Sequence, residues 1–432
     1  MIFNADERQS KKTEGITRLA GFSENLKSKM PVFLVIWLFL TILSPHQDLY
    51  KVFFHGVIIP CLLVLLFSGN TGINWKSPFL LVSLAFFAYA SVSTFIVGSG
   101  PLSSHIRALR WGVEVSFCLL ALYVWVPKIV NSPRWWGAIF LWLALLGAVA
   151  AIVNFIFFSD LQGRLSGLGA LHNPIQAGSI LLVYFSIGQF MLVTSVSGHS
   201  KKERWLYFIS FISVFVATLL SESRGPIGAM LLYFAFLGVL KLIWRPRVVE
   251  IVAVSVLAGV AVGTVLLLYG GDNYLEQLLD RGMSYRLDIW VGYLEYPPQS
   301  WLFGFGAGTP PSELPAAQAY WVPNGHPITH AHNLFIGTLA ETGVIGVFLL
   351  AFMIILVVAS VLKRGESLEE KIRLLGILGL VFMLTLTGSH TVISSIKAVW
   401  LFLWLPVIFV LFWPIYRQSG WRATADRGAY DE

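Results

Sequence analysis

Long apolar runs alternate with short polar connections along almost the whole chain. The runs fall at 31–45, 51–68, 78–97, 106–126, 136–158, 172–196, 204–220, 225–243, 248–270, 332–361, 371–388 and 392–415. A helix needs roughly 20 residues to cross the hydrocarbon core of a bilayer, and the first run is the one short of that. Lipid offers no partner to open backbone, so spans of this kind must be helical. The pattern predicts an all-α polytopic membrane protein with about twelve transmembrane helices.

The polar remainder divides the chain into a 1–30 N-terminal segment, helices 1–9 over 31–270, a 271–331 loop, helices 10–12 over 332–415, and a 416–432 tail. The loop is the single long connection, and connections of that length are usually functional or disordered. Its aromatic content argues against disorder: Tyr274, Tyr285, Trp290, Tyr293, Tyr296, Trp301, Tyr320 and Trp321 all lie within it. Ser284 is placed to cap a helix through "SYRLDIWVGYLEY", and Pro297 and Pro298 stop it. Leu287, Trp290, Val291 and Leu294 recur at helical spacing, so this helix is expected to rest on the membrane surface or against the bundle.

Charge fixes the expected orientation. Only 12% of residues are charged, against about 25% in soluble domains. With the N-terminus inside, 22 of the 30 Lys and Arg residues fall on the cytoplasmic side and eight on the far side. That bias predicts both termini in the cytoplasm. It also accounts for the net charge of +7 without a nucleic-acid partner. Cys61 and Cys118 both lie in apolar runs, and neither a disulfide framework nor a thiolate metal site follows from them. No small-residue cleavage site follows the first apolar run, so no cleaved signal peptide is expected.

Six of the eight far-side basic residues are arginines, against the charge rule. Arg107 and Arg110 sit one helical turn apart; Arg164 lies in "QGRLSGLGALHNPIQAG", Arg224 in "SESRGPIG" and Arg286 in the loop helix. Guanidinium forks onto phosphate oxygens and keeps its charge when desolvated. The set therefore fits a pocket for an anionic headgroup. The bland alternative is local pairing of Arg110 with Glu114, Arg224 with Glu222 and Arg286 with Asp288. Three histidines, His326, His330 and His332, precede the apolar run that contains Glu341. They fit a metal site, a proton relay, an interfacial cap or a general base. In a helix His330 and His332 would face opposite ways, whereas extended backbone would bring them together. The base role is preferred, because neutral imidazole is available near neutral pH. Arginines near a basic imidazole suit glycosyl transfer from a diphosphate donor: they neutralise the leaving group while the imidazole deprotonates an attacking hydroxyl. The far side carries no D-x-D motif for a metal-bound diphosphate.

The array "SYRLDIW", "PPQSWLFGFGAGT" and "HAHNLFIGTLAETGVIGVF" resembles the membrane O-antigen ligase and polymerase superfamily. "GRLSGLGALHNPIQAG" and "SESRGPIGA" resemble its upstream segments, and together these cover about residues 160–350. The resemblance implies a GT-C-like, metal-independent, inverting glycosyltransferase of the bacterial inner membrane, without a cofactor, whose site faces the periplasm. Its implied donor is a glycan on undecaprenyl diphosphate, bound from among the membrane lipids. Carried over by position, His332 becomes the base and Arg286 and Arg224 the diphosphate contacts, with Arg164 a third. His330 is additional to the family pattern.

The superfamily includes ligases acting on lipid A–core, polymerases and protein O-oligosaccharide ligases. An anionic lipid A–core acceptor suits extra far-side charge, which Arg107, Arg110 and Lys51 are placed to supply, so the ligase is the expectation and the polymerase its runner-up. A secondary transporter would show paired broken helices related by internal symmetry, and no matching half is visible in the sequence.

Overall fold

The computed structural model describes residues 5–97, 101–158, 163–195, 200–244, 286–322, 330–363, 366–388 and 391–413. The expected span at 248–270, much of the 271–331 loop, His326, Arg281 and the C-terminal tail lie outside the described residues.

The elements are α1 (Ala5–Leu43), α2 (Leu49–Phe67), α3 (Pro78–Val97), α4 (Leu102–Val130), α5 (Pro133–Phe158), α6 (Pro174–Thr194), α7 (Lys201–Leu220), α8 (Arg224–Trp244), α9 (Arg286–Glu295), α10 (Leu334–Leu362), α11 (Leu368–Gly388) and α12 (Trp400–Trp413). Among the described residues ten helices are long and apolar enough to cross a membrane, namely α1 to α8, α10 and α11. The chain is an all-helical polytopic membrane protein. Its first span is longer than its apolar run predicted, because α1 continues from the polar N-terminal segment through Pro31.

Local sequence explains several ends. Asn173 accepts from the Ile175 amide at the start of α6, Ser200 and Glu203 form a capping box on α7, and Asn333 accepts from the Phe335 and Ile336 amides at the start of α10. Each cap satisfies amides that the first helical turn leaves unpaired. α6 is the central helix: it packs against α5, α7, α8 and α11, and Ala177 through Leu192 are buried without interruption. α3 packs against α4 and α10, while α11 packs against α8.

Two departures from the sequence pattern matter for function. The apolar run at 392–415 does not form one span. Residues 391–398 are irregular, and α12 follows from Trp400. This stretch carries Thr391, Ser394 and Lys397, and those three line cavities. Irregular backbone at membrane depth persists where protein or a cavity takes its polar groups. In α9, the expected apolar face stays mostly open, and two residues outside it are buried instead. Ile289 and Tyr293 are buried with Trp321, whereas Leu287, Val291 and Leu294 are exposed. One side of α9 therefore packs on the bundle, and its opposite side remains apolar and open.

Candidate functional site

The two histidines come together just ahead of α10. The Asn333 cap fixes where that helix begins, so His330 and His332 both precede it. His332 adopts φ 52°, a left-handed conformation uncommon outside glycine. The turn brings its ring edge-on to that of His330, with centroids 3.8 Å apart. The Trp290 indole N–H donates to the Ala331 carbonyl at 3.0 Å and ties this turn to α9. Burial, then the neighbouring His330 and Arg286, push the His332 pKa down to about 3. Burial lowers that of His330 as well. Both rings are therefore neutral imidazoles at ordinary pH. The Nδ1 atom of His332 is buried and has no hydrogen-bond partner among the described residues.

Three arginines meet beside this turn. Arg286, at the start of α9, donates to the Thr387 carbonyl at the end of α11, 3.0 Å away. Arg164 reaches the 221–223 turn, donating from Nε to the Ser221 carbonyl at 3.0 Å and from Nη2 to Ser223 Oγ at 2.6 Å. Arg224 is the first residue of α8, directly after that turn. The guanidinium of Arg286 is partly buried, and desolvation together with the charges of Arg224 and Arg164 lowers its pKa. Like charges gathered out of solvent in this way oppose folding unless an anion offsets them. Side-chain pairing of Arg286 with Asp288 falls outside the described side chains.

Two cavities adjoin the histidines. The smaller, of about 70 Å³, is lined by Asn173, Gln176, His332 and Gly388, which places it next to the Arg286–Thr387 contact. The larger, of about 220 Å³, is lined by Arg107, Trp111, Tyr293 and Glu341. His330, Thr391, Ser394 and Lys397 line both.

Arg107 and Arg110 separate, although they lie one turn apart. Arg107 faces the larger cavity. Arg110 is largely exposed, with Nε 3.3 Å from Glu114, and His55 lies 3.4 Å from the same carboxylate oxygen. The local pairing expected for Arg110 is thus present. Among the described residues no group of three or more His, Cys, Asp or Glu side chains is placed to hold a metal ion.

Residues 208–351 match the O-antigen ligase family model. This family segment contains Arg224, Arg286, His330, His332 and Glu341, and it falls almost entirely within the span of the resemblance read from the sequence. The family covers O-antigen ligases and polymerases, which are membrane glycosyltransferase-like enzymes. The comparison with curated proteins gave no match. Lys397, Thr391 and Ser394 lie outside the family segment, and the sequence pattern did not single them out. Lys397 carried one signal, a far-side cation in an apolar run; the two hydroxyls carried none.

Proposed function

We propose that this protein is a lipid-linked oligosaccharide ligase of the bacterial inner membrane. It transfers a glycan from undecaprenyl diphosphate to lipid A–core at the periplasmic face, without a metal ion and with inversion at the sugar carbon. The observation that carries this reading is the meeting of Arg164, Arg224 and Arg286 beside the neutral, half-buried His332. The arginines hold the diphosphate and offset the charge that develops on its leaving oxygen, the term that usually contributes most to such a step. His332 accepts the proton of the attacking hydroxyl as the new glycosidic bond forms. The anomeric carbon–oxygen bond to the diphosphate breaks, and its electron pair leaves with the phosphate. His332 remains an imidazole under working conditions, so it is available as the base.

The orientation follows the charge bias. Lys51, Arg107, Arg110, Arg164, Arg224, Arg286 and Lys397 fall on the side opposite the N-terminus, and that side faces the periplasm in this reading. Both termini are then cytoplasmic, and the loop around α9 is periplasmic. The exposed Leu287, Val291 and Leu294 suit contact with the outer leaflet, beside the route by which lipid substrates enter.

Product analysis tests the reading. Purified protein in liposomes is given a labelled glycan on undecaprenyl diphosphate, with and without lipid A–core. Label should move to lipid A–core, and only when that acceptor is present. Longer glycan on undecaprenyl diphosphate without added acceptor would instead identify a polymerase.

A further inference from the structure

Helix α10 is broken at Gly343 (φ 65°, ψ −165°), within the stretch that lines the larger cavity. The loop after α9 takes the polar groups that the break releases. The Phe305 amide donates to the Ala340 carbonyl at 2.7 Å, and the Val344 amide donates to the Trp301 carbonyl at 2.8 Å. The Tyr89 hydroxyl donates to the Thr342 carbonyl at 2.8 Å. A Cβ at Gly343 would lie 2.3 Å from the Leu302 carbonyl oxygen, so the loop is laid backbone to backbone on the broken helix. The break thus has a built support, and the residue it holds is Glu341.

Glu341 faces the larger cavity together with Arg107, Trp111 and Lys397. The Thr391 hydroxyl donates to its Oε2 at 2.6 Å. A carboxylate can accept about four hydrogen bonds, so acceptor capacity remains. Lys397 Nζ lies 5.8 Å from the centroid of the Trp111 ring. The Trp111 indole N–H is buried and has no hydrogen-bond partner among the described residues. Buried donors of this kind call for a partner. A carboxylate for hydroxyl donors, an ammonium and an indole N–H for oxygen acceptors, and an aromatic ring for a C–H face together suit a sugar ring.

The position of this cavity gives it a role. It meets the smaller cavity along His330, Thr391, Ser394 and Lys397, whereas His332 and Gly388, the residue after Thr387, line only the smaller one. The larger cavity reaches the histidine pair through His330, whose ring meets that of His332 at the smaller cavity. We propose that the larger cavity is the acceptor-sugar subsite, and that Glu341 and Lys397 are specificity-determining residues that seat the attacking ring. This rests on the transferase reading above.

The test uses the full chain in liposomes with the labelled lipid-linked donor. Lipid A–core is titrated as acceptor, or unlabelled lipid-linked glycan if chain growth is the product found. Acceptor KM, kcat and, without acceptor, donor Kd are measured. Glu341→Gln and Lys397→Met should each raise acceptor KM on the order of tenfold, the cost of a lost hydrogen bond. Donor Kd should stay within about twofold, which separates acceptor seating from general damage. An active variant pair with unchanged acceptor KM would overturn the subsite, as would a loss of donor affinity equal to the rise in KM. If Glu341→Gln disturbs the broken helix and fails to fold, Lys397→Met, which lies outside α10, decides the question alone. A wild-type protein that transfers to neither acceptor would sink the transferase reading instead, so the two failures are distinguishable.

Discussion

His332 is where backbone, burial and charge coincide. Burial first, then the neighbouring His330 and Arg286, disfavour a proton on the ring, and the left-handed φ sets where the ring sits. An unperturbed imidazole titrates near about 6.5, whereas this one is held down to about 3. The sign follows directly. As pH falls below about 6.5 the unfolded chain takes up a proton that the folded chain refuses, so this residue lowers stability increasingly toward about pH 3. At higher pH it makes no such contribution. For catalysis the same shift keeps the base neutral well into acid. The pH profile of kcat/KM should therefore stay flat from about pH 8 to about pH 5, without a one-proton limb in the ordinary histidine range. Liposome assays across that range check this, and a limb centred near 6.5 would contradict the assignment of the neutral base to this half-buried ring.

At the scale of elements, the break in α10 and the loop laid on it form one unit. The φ and ψ of Gly343 belong to a region essentially restricted to glycine, where a non-glycine residue costs on the order of 1–3 kcal/mol. The clash of a Cβ with the Leu302 carbonyl adds to that cost. Gly343→Ala should lower the thermal midpoint in detergent by several degrees and reduce transfer sharply. Gly238→Ala, where an added Cβ meets nothing within 4 Å, should do neither. Equal midpoints for the two variants would mean that the break carries no strain. Much of this architecture was legible beforehand. The apolar runs gave ten spans now seen as long apolar helices, because their length and composition are local properties. The arginines stood out as cations against the expected charge bias, and the histidines as a cluster just ahead of an apolar run. Hidden from the sequence were the irregular stretch at 391–398 and the face that α9 buries. Val392, Ile393 and Ile396 are as apolar as helix residues, and only packing shows that Thr391, Ser394 and Lys397 line cavities. Likewise Ile289 and Tyr293 bury against Trp321, a partner whose proximity no periodicity encodes.

Across the whole molecule, two groups of cations stand near the adjoining cavities, while Arg110 is exposed and pairs with Glu114. Lys51 lies within electrostatic reach of Lys397, Lys397 shares the larger cavity with Arg107, and Arg286 lies beside Arg224 and Arg164. The family segment holds Arg224, Arg286 and His332, the centre of the proposed donor side. Glu341 and His330 lie inside it as well, whereas Arg164, Arg107, Trp111 and Lys397 lie outside. The central claim is that His332 is the base for transfer from a lipid diphosphate. Its most direct test compares wild-type protein with His332→Ala in liposomes, measuring single-turnover transfer of labelled glycan at saturating donor and acceptor. The variant should keep its thermal midpoint and donor affinity yet lose roughly 10²–10⁴ in rate. A folded His332→Ala protein that turns over at near wild-type rate would contradict the account.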